Sequence, residues 1–101
     1  MRRLDLTPKA RADLLDIASY IALDDPARAR SFISELEQRC ADLLGYPGSG
    51  RDRSELAASL RSKPHGSYVI FYTPSDELVR IERILHGARD LGAAFGSETG
   101  G

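Results

Sequence analysis

Apolar residues along this chain change their period, and the changes divide it into elements. From Ala10 they recur at steps of three and four through Leu14, Ile17, Ala18 and Ile21, while Lys9, Arg11, Asp13, Asp16 and Ser19 take the other side. That spacing predicts an amphipathic helix with one face in the core. Thr7-Pro8 sets its start: the Thr hydroxyl can accept from first-turn amides as N-cap, and Pro at N1 needs no amide proton. Asp24-Asp25-Pro26 ends this helix and begins the next in the same way, with Asp25 as N-cap, so the two form a hairpin with almost no loop. The second helix, Pro26 to about Leu44, carries Ala29, Phe32, Ile33, Leu36, Cys40, Leu43 and Leu44 at the same steps. Gly45 is expected at C′, and Pro47 forbids resumption. At about 1.5 Å per residue each helix is on the order of 25 Å long, so the pair can cover one face of a small sheet.

Elsewhere the pattern is that of strands. Arg3 to Leu6 predicts a short first strand. Tyr46 to Ser54, with its glycines, proline and mixed charges, reads as a surface loop. Glu55 to Lys63 alternates weakly, Leu56, Ala58 and Leu60 against Glu55, Ala57, Ser59 and Arg61, and predicts a strand that Pro64-His65-Gly66 breaks. Tyr68 to Thr73 is aromatic and β-branched on both faces, as a central strand is. Pro74-Ser75-Asp76 makes a turn, and the return strand runs from Glu77 to about Leu85. Val79, Ile81, Arg83 and Leu85 fall on one of its faces, and Leu78, Arg80, Glu82, Ile84 and His86 on the other. Charge interrupts both sets, so one face should meet the helices and the other should be a partly exposed working surface. Ala88 to Phe95 predicts two turns of helix that pack Leu91 and Phe95 back on the domain, before a flexible tail, 96–101. The fold class is α+β: an N-terminal strand, an antiparallel helical hairpin, a three-stranded antiparallel meander and a short C-terminal helix, in a single domain over 1–95.

Composition narrows the function classes. The chain has 101 residues and a formal net charge of -1, with 14 Lys and Arg against 15 Asp and Glu. A dedicated nucleic-acid binder usually carries a basic excess, which is absent in the total. Cys40 is the one cysteine, so no disulfide framework or zinc cluster is expected, and a small buried thiol on a helix is the expected role. No apolar run is long enough for a membrane span and no leader pattern precedes the first strand, so a cytoplasmic protein without membrane contact is expected.

Candidate chemistry is sparse. There is no P-loop, dinucleotide fingerprint, nucleophile elbow or metal motif, and no cofactor is expected. Gly45, Gly48 and Gly50 do not link a strand to a helix and are better read as turn residues than as a phosphate cradle. Arg61, Lys63, His65, Arg80, Arg83 and His86 lie on or beside the meander. Brought together they would form a cationic site with a His able to act as acid or base. The plainer alternative pairs Arg83 with a carboxylate such as Asp90 and bonds His86 to backbone at a strand end. In a regular strand Arg83 and His86 point to opposite faces, so only a bulge or bend could bring them to one site. Tyr68, Phe71 and Tyr72 are expected mainly in the core, with at least one exposed.

The order of these segments resembles the ParE branch of the RelE/ParE toxins of bacterial type II toxin–antitoxin pairs, across Leu4 to Phe95. The likeness is carried by Ala10 to Ala22 (ARADLLDIASYIA), Asp24 to Cys40 (DDPARARSFISELEQRC), Leu43 to Leu56 (LLGYPGSGRDRSEL), Ser59 to Tyr72 (SLRSKPHGSYVIFY) and Val79 to Leu91 (VRIERILHGARDL). The resemblance implies a cognate ParD-like antitoxin, a hetero-oligomer with it, and no sequence-specific DNA binding by this chain alone. It implies that the antitoxin's C-terminal segment folds into a groove between hairpin and sheet, for which Leu14, Ile17, Ile21, Phe32, Ile33 and Leu36 are the candidates. For RelE-like members the resemblance implies cleavage of messenger RNA, with Arg61, Arg83 and His86 as the matching residues here. For ParE-like members it implies inhibition of DNA gyrase without catalysis. Gly87 follows His86, there is no Tyr after Tyr72, and the LHGARDL ending is ParE-like, so a gyrase inhibitor is favoured, with Arg61, Arg83, His86 and Arg89 on the target surface. A member that binds antitoxin without being toxic is the third alternative.

Overall fold

The computed structural model describes residues 2–88 and 91–95. Along the chain run β1 (Arg3–Leu6), α1 (Pro8–Ala22), α2 (Pro26–Asp42), β2 (Arg51–Asp52), β3 (Arg61–His65), β4 (Tyr68–Pro74), β5 (Leu78–His86) and α3 (Leu91–Phe95). The strands form one five-stranded sheet in the order β1-β5-β4-β3-β2. Neighbours pair antiparallel except β1, which lies parallel to β5 with Arg3 opposite Leu78 and Leu6 opposite Ile81. The α+β class and the central place of Tyr68–Thr73 follow the sequence pattern. The predicted antiparallel meander is β3-β4-β5, and the sheet is mixed because the hairpin carries the chain across one face to the far edge at β2, from which the meander returns it alongside β1.

Both helix starts are as the sequence predicts. Thr7 Oγ1 accepts from the Ala10 N–H at 3.0 Å and donates to the Glu82 carbonyl at 2.9 Å, so one hydroxyl caps α1 and ties it to β5. Asp25 accepts from the Arg28 N–H at 3.0 Å. At its other end α2 stops at Asp42 with Leu43 as a right-handed C-cap, and Gly45 does not take a positive φ. The expected glycine C′ is therefore not used: the chain leaves through successive tight turns, in which Leu44 and Gly45 N–H groups bond the Ala41 and Asp42 carbonyls.

Each face of the sheet carries an apolar cluster. Between helices and sheet, Ala10, Ile17, Phe32, Leu36, Cys40 and Leu43 meet Ile70, Tyr72, Val79, Ile81 and Ile84. On the far face Leu60, Phe71 and Leu85 are covered by Leu56 and Ala57 from the preceding turns and by Leu91, Ala94 and Phe95 of α3, the Phe71 and Phe95 rings lying 4.9 Å apart. The far face is thus a second core, which corrects the expectation of a partly exposed working surface there. Its cover explains another correction. The segment predicted as a strand from Glu55 folds instead into turns, with Ser59 at φ 62, because Leu56, Ala57 and Leu60 turn down onto Phe71 rather than alternating across a sheet. The strand begins only at Arg61 and runs through Pro64 to His65. Pro64 is tolerated because β2 pairs only with Arg61 and Ser62, leaving the outer edge of β3 unpaired beyond them.

The β4–β5 register slips between Phe71 and Tyr72: Phe71 is opposite Arg83 and Tyr72 opposite Ile81, so Glu82 is the extra residue of a bulge. Val79 and Ile81 face the helices before it and Ile84 faces them after it, while Leu85 joins the far core. The mixed parity of β5 in the sequence is this change of face. Among the described residues no helix is long and apolar enough to cross a membrane. The segment expected as a tail, 96–101, lies outside the described residues.

Candidate functional site

Past Ile81, β5 outruns β1 and one of its edges has no strand beside it. Unpaired edge N–H groups there need an acceptor. Asp13, one turn into α1, supplies it: its Oδ2 accepts from the Ile84 N–H at 2.9 Å. The same carboxylate takes Arg83 in a fork, Nε at 2.8 Å and Nη2 at 3.0 Å. The side chains are 8% and 15% exposed, so this is a largely buried pair. Asp13 was expected on the solvent side of α1. It is buried because the helix rolls that edge against the end of the sheet, and a buried carboxylate is stable there only with these donors around it.

His86 stands at the end of β5, exposed, its ring edge-on to Tyr68 with centroids 5.3 Å apart and its Nδ1 accepting from the Ala88 N–H at 3.1 Å. It is the strand-end histidine bonded to backbone that the plainer reading of the sequence described. Arg61 lies two strands away, at the opposite side of the sheet, donating to the Gly50 carbonyl at 2.8 Å and the Gly48 carbonyl at 3.4 Å. The bulge does not unite Arg83 with His86, since both lie beyond Glu82 and keep their alternation. Arg89 and Asp90 lie outside the described residues; among the described residues the carboxylate that Arg83 meets is Asp13.

The other basic residues are also spoken for. His65 Nε2 lies 2.9 Å from Glu35 Oε1, and its Nδ1 accepts from Arg39 Nε at 3.4 Å. Arg28 donates to Glu35 at 2.7 Å and sits over the Phe32 ring. These hydrogen bonds, Arg28 first and His65 second, hold the Glu35 carboxyl below its usual value. Lys63 Nζ is 3.3 Å from Ser49 Oγ, and Arg80 is 4.0 Å from Asp5. Tyr72, fully buried, donates to the Pro47 carbonyl at 2.9 Å and accepts from the Gly50 N–H at 2.8 Å, pinning the loop to the central strand. Among the described residues no three His, Cys, Asp or Glu side chains are grouped to hold a metal ion.

Of the residues expected to line a partner groove, Ile17, Phe32 and Leu36 are buried in the core, and Leu14, Ile21 and Ile33 are partly buried against it. The first three are packed between helices and sheet, so they face the core in this structure. The open apolar surface lies higher on the hairpin, a groove of about 620 Å³ floored by Ala18, Ala22 and Ala29 and flanked by Ile33, Arg30 and Ser34. Leu15 on α1 and Leu23 at its C-cap stand 70% and 81% exposed. The signal was in the sequence: Ala18, Ala22 and Leu15 form a second apolar stripe next to the core stripe, widening the apolar arc of α1 beyond what one sheet can cover.

Comparison with known proteins places this geometry. The family model described as "ParE toxin of type II toxin-antitoxin system, parDE" matches residues 4–91. Toxin RelE2 of Caulobacter vibrioides is 36% identical over 89 residues, spanning 88% of this chain and 99% of that protein. Toxin ParE3 of the same organism is 34% identical over 71 residues, 70% of this chain and 71% of that one. The solved structure titled "Chromosomal ParDE TA system from P. aeruginosa" contains a chain similar in fold, with a TM-score of 0.71 at 22% identity, covering 85% of this chain and 96% of that chain. With the family match spanning all but the ends, and the hairpin-on-sheet fold shared, the chain belongs to the ParE toxin family of type II toxin–antitoxin systems.

Proposed function

We propose that this toxin arrests growth by inhibiting DNA gyrase without itself being a nuclease, and that a ParD-like antitoxin neutralises it by laying an amphipathic helix in the groove over Ala18, Ala22 and Ala29. The observation that carries the first part is the dispersal of the cationic candidates. Cutting a phosphodiester calls for a positioned acid or base and for cations close to the charge that develops. Here Arg83 is tied to Asp13, Arg61 to the Gly50 carbonyl, and His86 stands apart from both. The groove supports the second part: small side chains on its floor let a helix backbone approach closely, and Ile33 offers an apolar wall.

Purified protein should inhibit supercoiling by gyrase and accumulate cleaved plasmid, and His86→Ala should leave that activity intact. If gyrase is untouched at stoichiometric excess while ribosome-bound messenger RNA is cut, the ribonuclease reading with Arg61, Arg83 and His86 replaces this one. Neither activity, with antitoxin binding retained, would mark a non-toxic member. In cells, DNA-damage signalling against translation arrest separates the same readings.

A further inference from the structure

We propose that the notch between the end of α2, the turn that follows and the edge strand β3 binds single-stranded nucleic acid without regard to sequence, a base stacking on Tyr46 and the phosphate backbone following Lys63 and Arg39. The notch holds about 170 Å³ and is lined by Arg39, Asp42, Leu43, Tyr46, Ser49 and Lys63. Tyr46 is 76% exposed, a ring left in water beside a cluster of cations. Alternate residues of a strand share a face, so Arg61 and Lys63 lie on the side of β3 that looks toward α2, about 6.6–6.8 Å apart along it. Beyond Ser62 no strand covers the outer edge of β3, which leaves the approach open.

The local charge is positive although the total is -1. Asp42 is the carboxylate of the notch. Its Oδ1 accepts from Gln38 at 2.9 Å and its Oδ2 lies 3.6 Å from Arg39, while among the described residues Lys63 Nζ meets the Ser49 hydroxyl, at 3.3 Å. Of the side chains that line the notch, Arg39 and Lys63 outweigh Asp42, while Arg61, beyond the lining, has Asp52 opposite it. The end of α2 adds an opposing potential of about half a charge, blunted because the Cys40, Ala41 and Asp42 carbonyls accept from Leu43, Leu44 and Gly45. A phosphate senses charges within a Debye length of about 8–10 Å, not the net charge of the chain. A cationic track beside an exposed ring is what single-strand binders combine, and it is blind to sequence because every base has a stacking face. A duplex would hide its bases from Tyr46. The notch is on the helix side of the sheet, apart from Arg83 and His86, and the inference rests on neither the gyrase nor the ribonuclease reading.

Fluorescence anisotropy with labelled oligo(dT) and oligo(rU) of roughly fifteen nucleotides, within the span such sites take, tests it on the full chain. Both should bind, with log K falling against log salt at a slope of about -1.4 to -2.1 for two to three phosphates. Lys63→Glu should weaken binding about tenfold, Tyr46→Ala about fivefold or more, and Tyr46→Phe should bind like the parent, since stacking needs the ring and not the hydroxyl. Binding of one oligonucleotide alone supports the site and identifies its strand as DNA or RNA. Binding of neither at low salt overturns the proposal, as does unchanged affinity in Lys63→Glu and Tyr46→Ala proteins whose thermal unfolding shows them folded. Loss of the gyrase effect in the parent would leave these titrations as they are, so the two readings fail separately.

Discussion

Replacing Asp13 by Ala removes at once the acceptor for Arg83 Nε, Arg83 Nη2 and the Ile84 N–H. Losing one member of a buried ion pair costs about 3–5 kcal/mol, and an orphaned buried N–H about 1–3 kcal/mol. The two losses overlap, because truncation to Ala opens room for water, and Arg83 borders an open cavity and is 15% exposed. A cost near the lower end, about 3 kcal/mol, is therefore expected. In a chain of this size each kcal/mol moves the melting temperature by about 4–8 °C, so the shift should be about 12–24 °C. Urea unfolding followed by circular dichroism reads the same quantity as a fall in midpoint of about 1–3 M. Arg83→Met should cost less in the Asp13→Ala background than in the parent, because the Asp13–Arg83 pair is already gone there, while the Ile84 N–H stays unmatched with or without Arg83 once Asp13 is removed. A loss below about 1 kcal/mol in the single Asp13 variant, or an Arg83→Met cost that is the same with and without Asp13, would refute the account of Asp13 as the edge acceptor of β5.

Other expectations follow from the same geometry. The Glu35 carboxyl is held below its ordinary 4.5 by Arg28 first and His65 second, so the stability it contributes is present above the unfolded value and lost as pH falls through the folded one. Arg28→Ala should raise that pKa in a carboxyl-resolved NMR titration and flatten the acid limb of the melting profile; an unmoved pKa would refute the assignment. Burial pushes the Cys40 thiol up to about 12, so a thiol reagent at mildly alkaline pH should modify it only as fast as the chain unfolds. Gly50→Ala would drive a methyl group into the Tyr72 hydroxyl and to 2.8 Å from the Ser62 carbonyl, costing about 1–3 kcal/mol in urea unfolding. Leu36, fully buried, should cost about 2–5 kcal/mol on truncation to Ala.

The helices were legible because their signals are local. Thr7-Pro8 and Asp25-Pro26 state both starts within two residues, and the apolar steps of three and four state the inner faces. What escaped depends on partners far along the chain. Asp13 reads as a solvent residue until β5 is placed beside it, and Leu56, Ala57 and Leu60 read as a weak strand until Phe71 draws them down. The dispersal of Arg61, Arg83 and His86 was half visible: parity separated two of them, but only the strand order shows Arg61 across the sheet. Three of the six residues expected in the groove, Ile17, Phe32 and Leu36, are buried, because counting apolar residues does not say which of them the sheet has already satisfied.

The parallel seam between β1 and β5 has a consequence for the order of events at birth. Parallel pairing needs a crossover, and here the crossover is nearly the whole chain: Asp13 and Arg83 are 70 residues apart. At about 5–20 residues per second, synthesis spends about 4–14 s between the two. During that interval the N-terminal strand has no neighbour and α1 carries an unmatched carboxylate, so the seam cannot close on the emerging chain. A nascent toxin is therefore unfinished until its last strand is made, and messages truncated before Ile84 yield polypeptides that lack this closure. That delay gives the cell a span in which the product is being built and cannot yet adopt the form that acts.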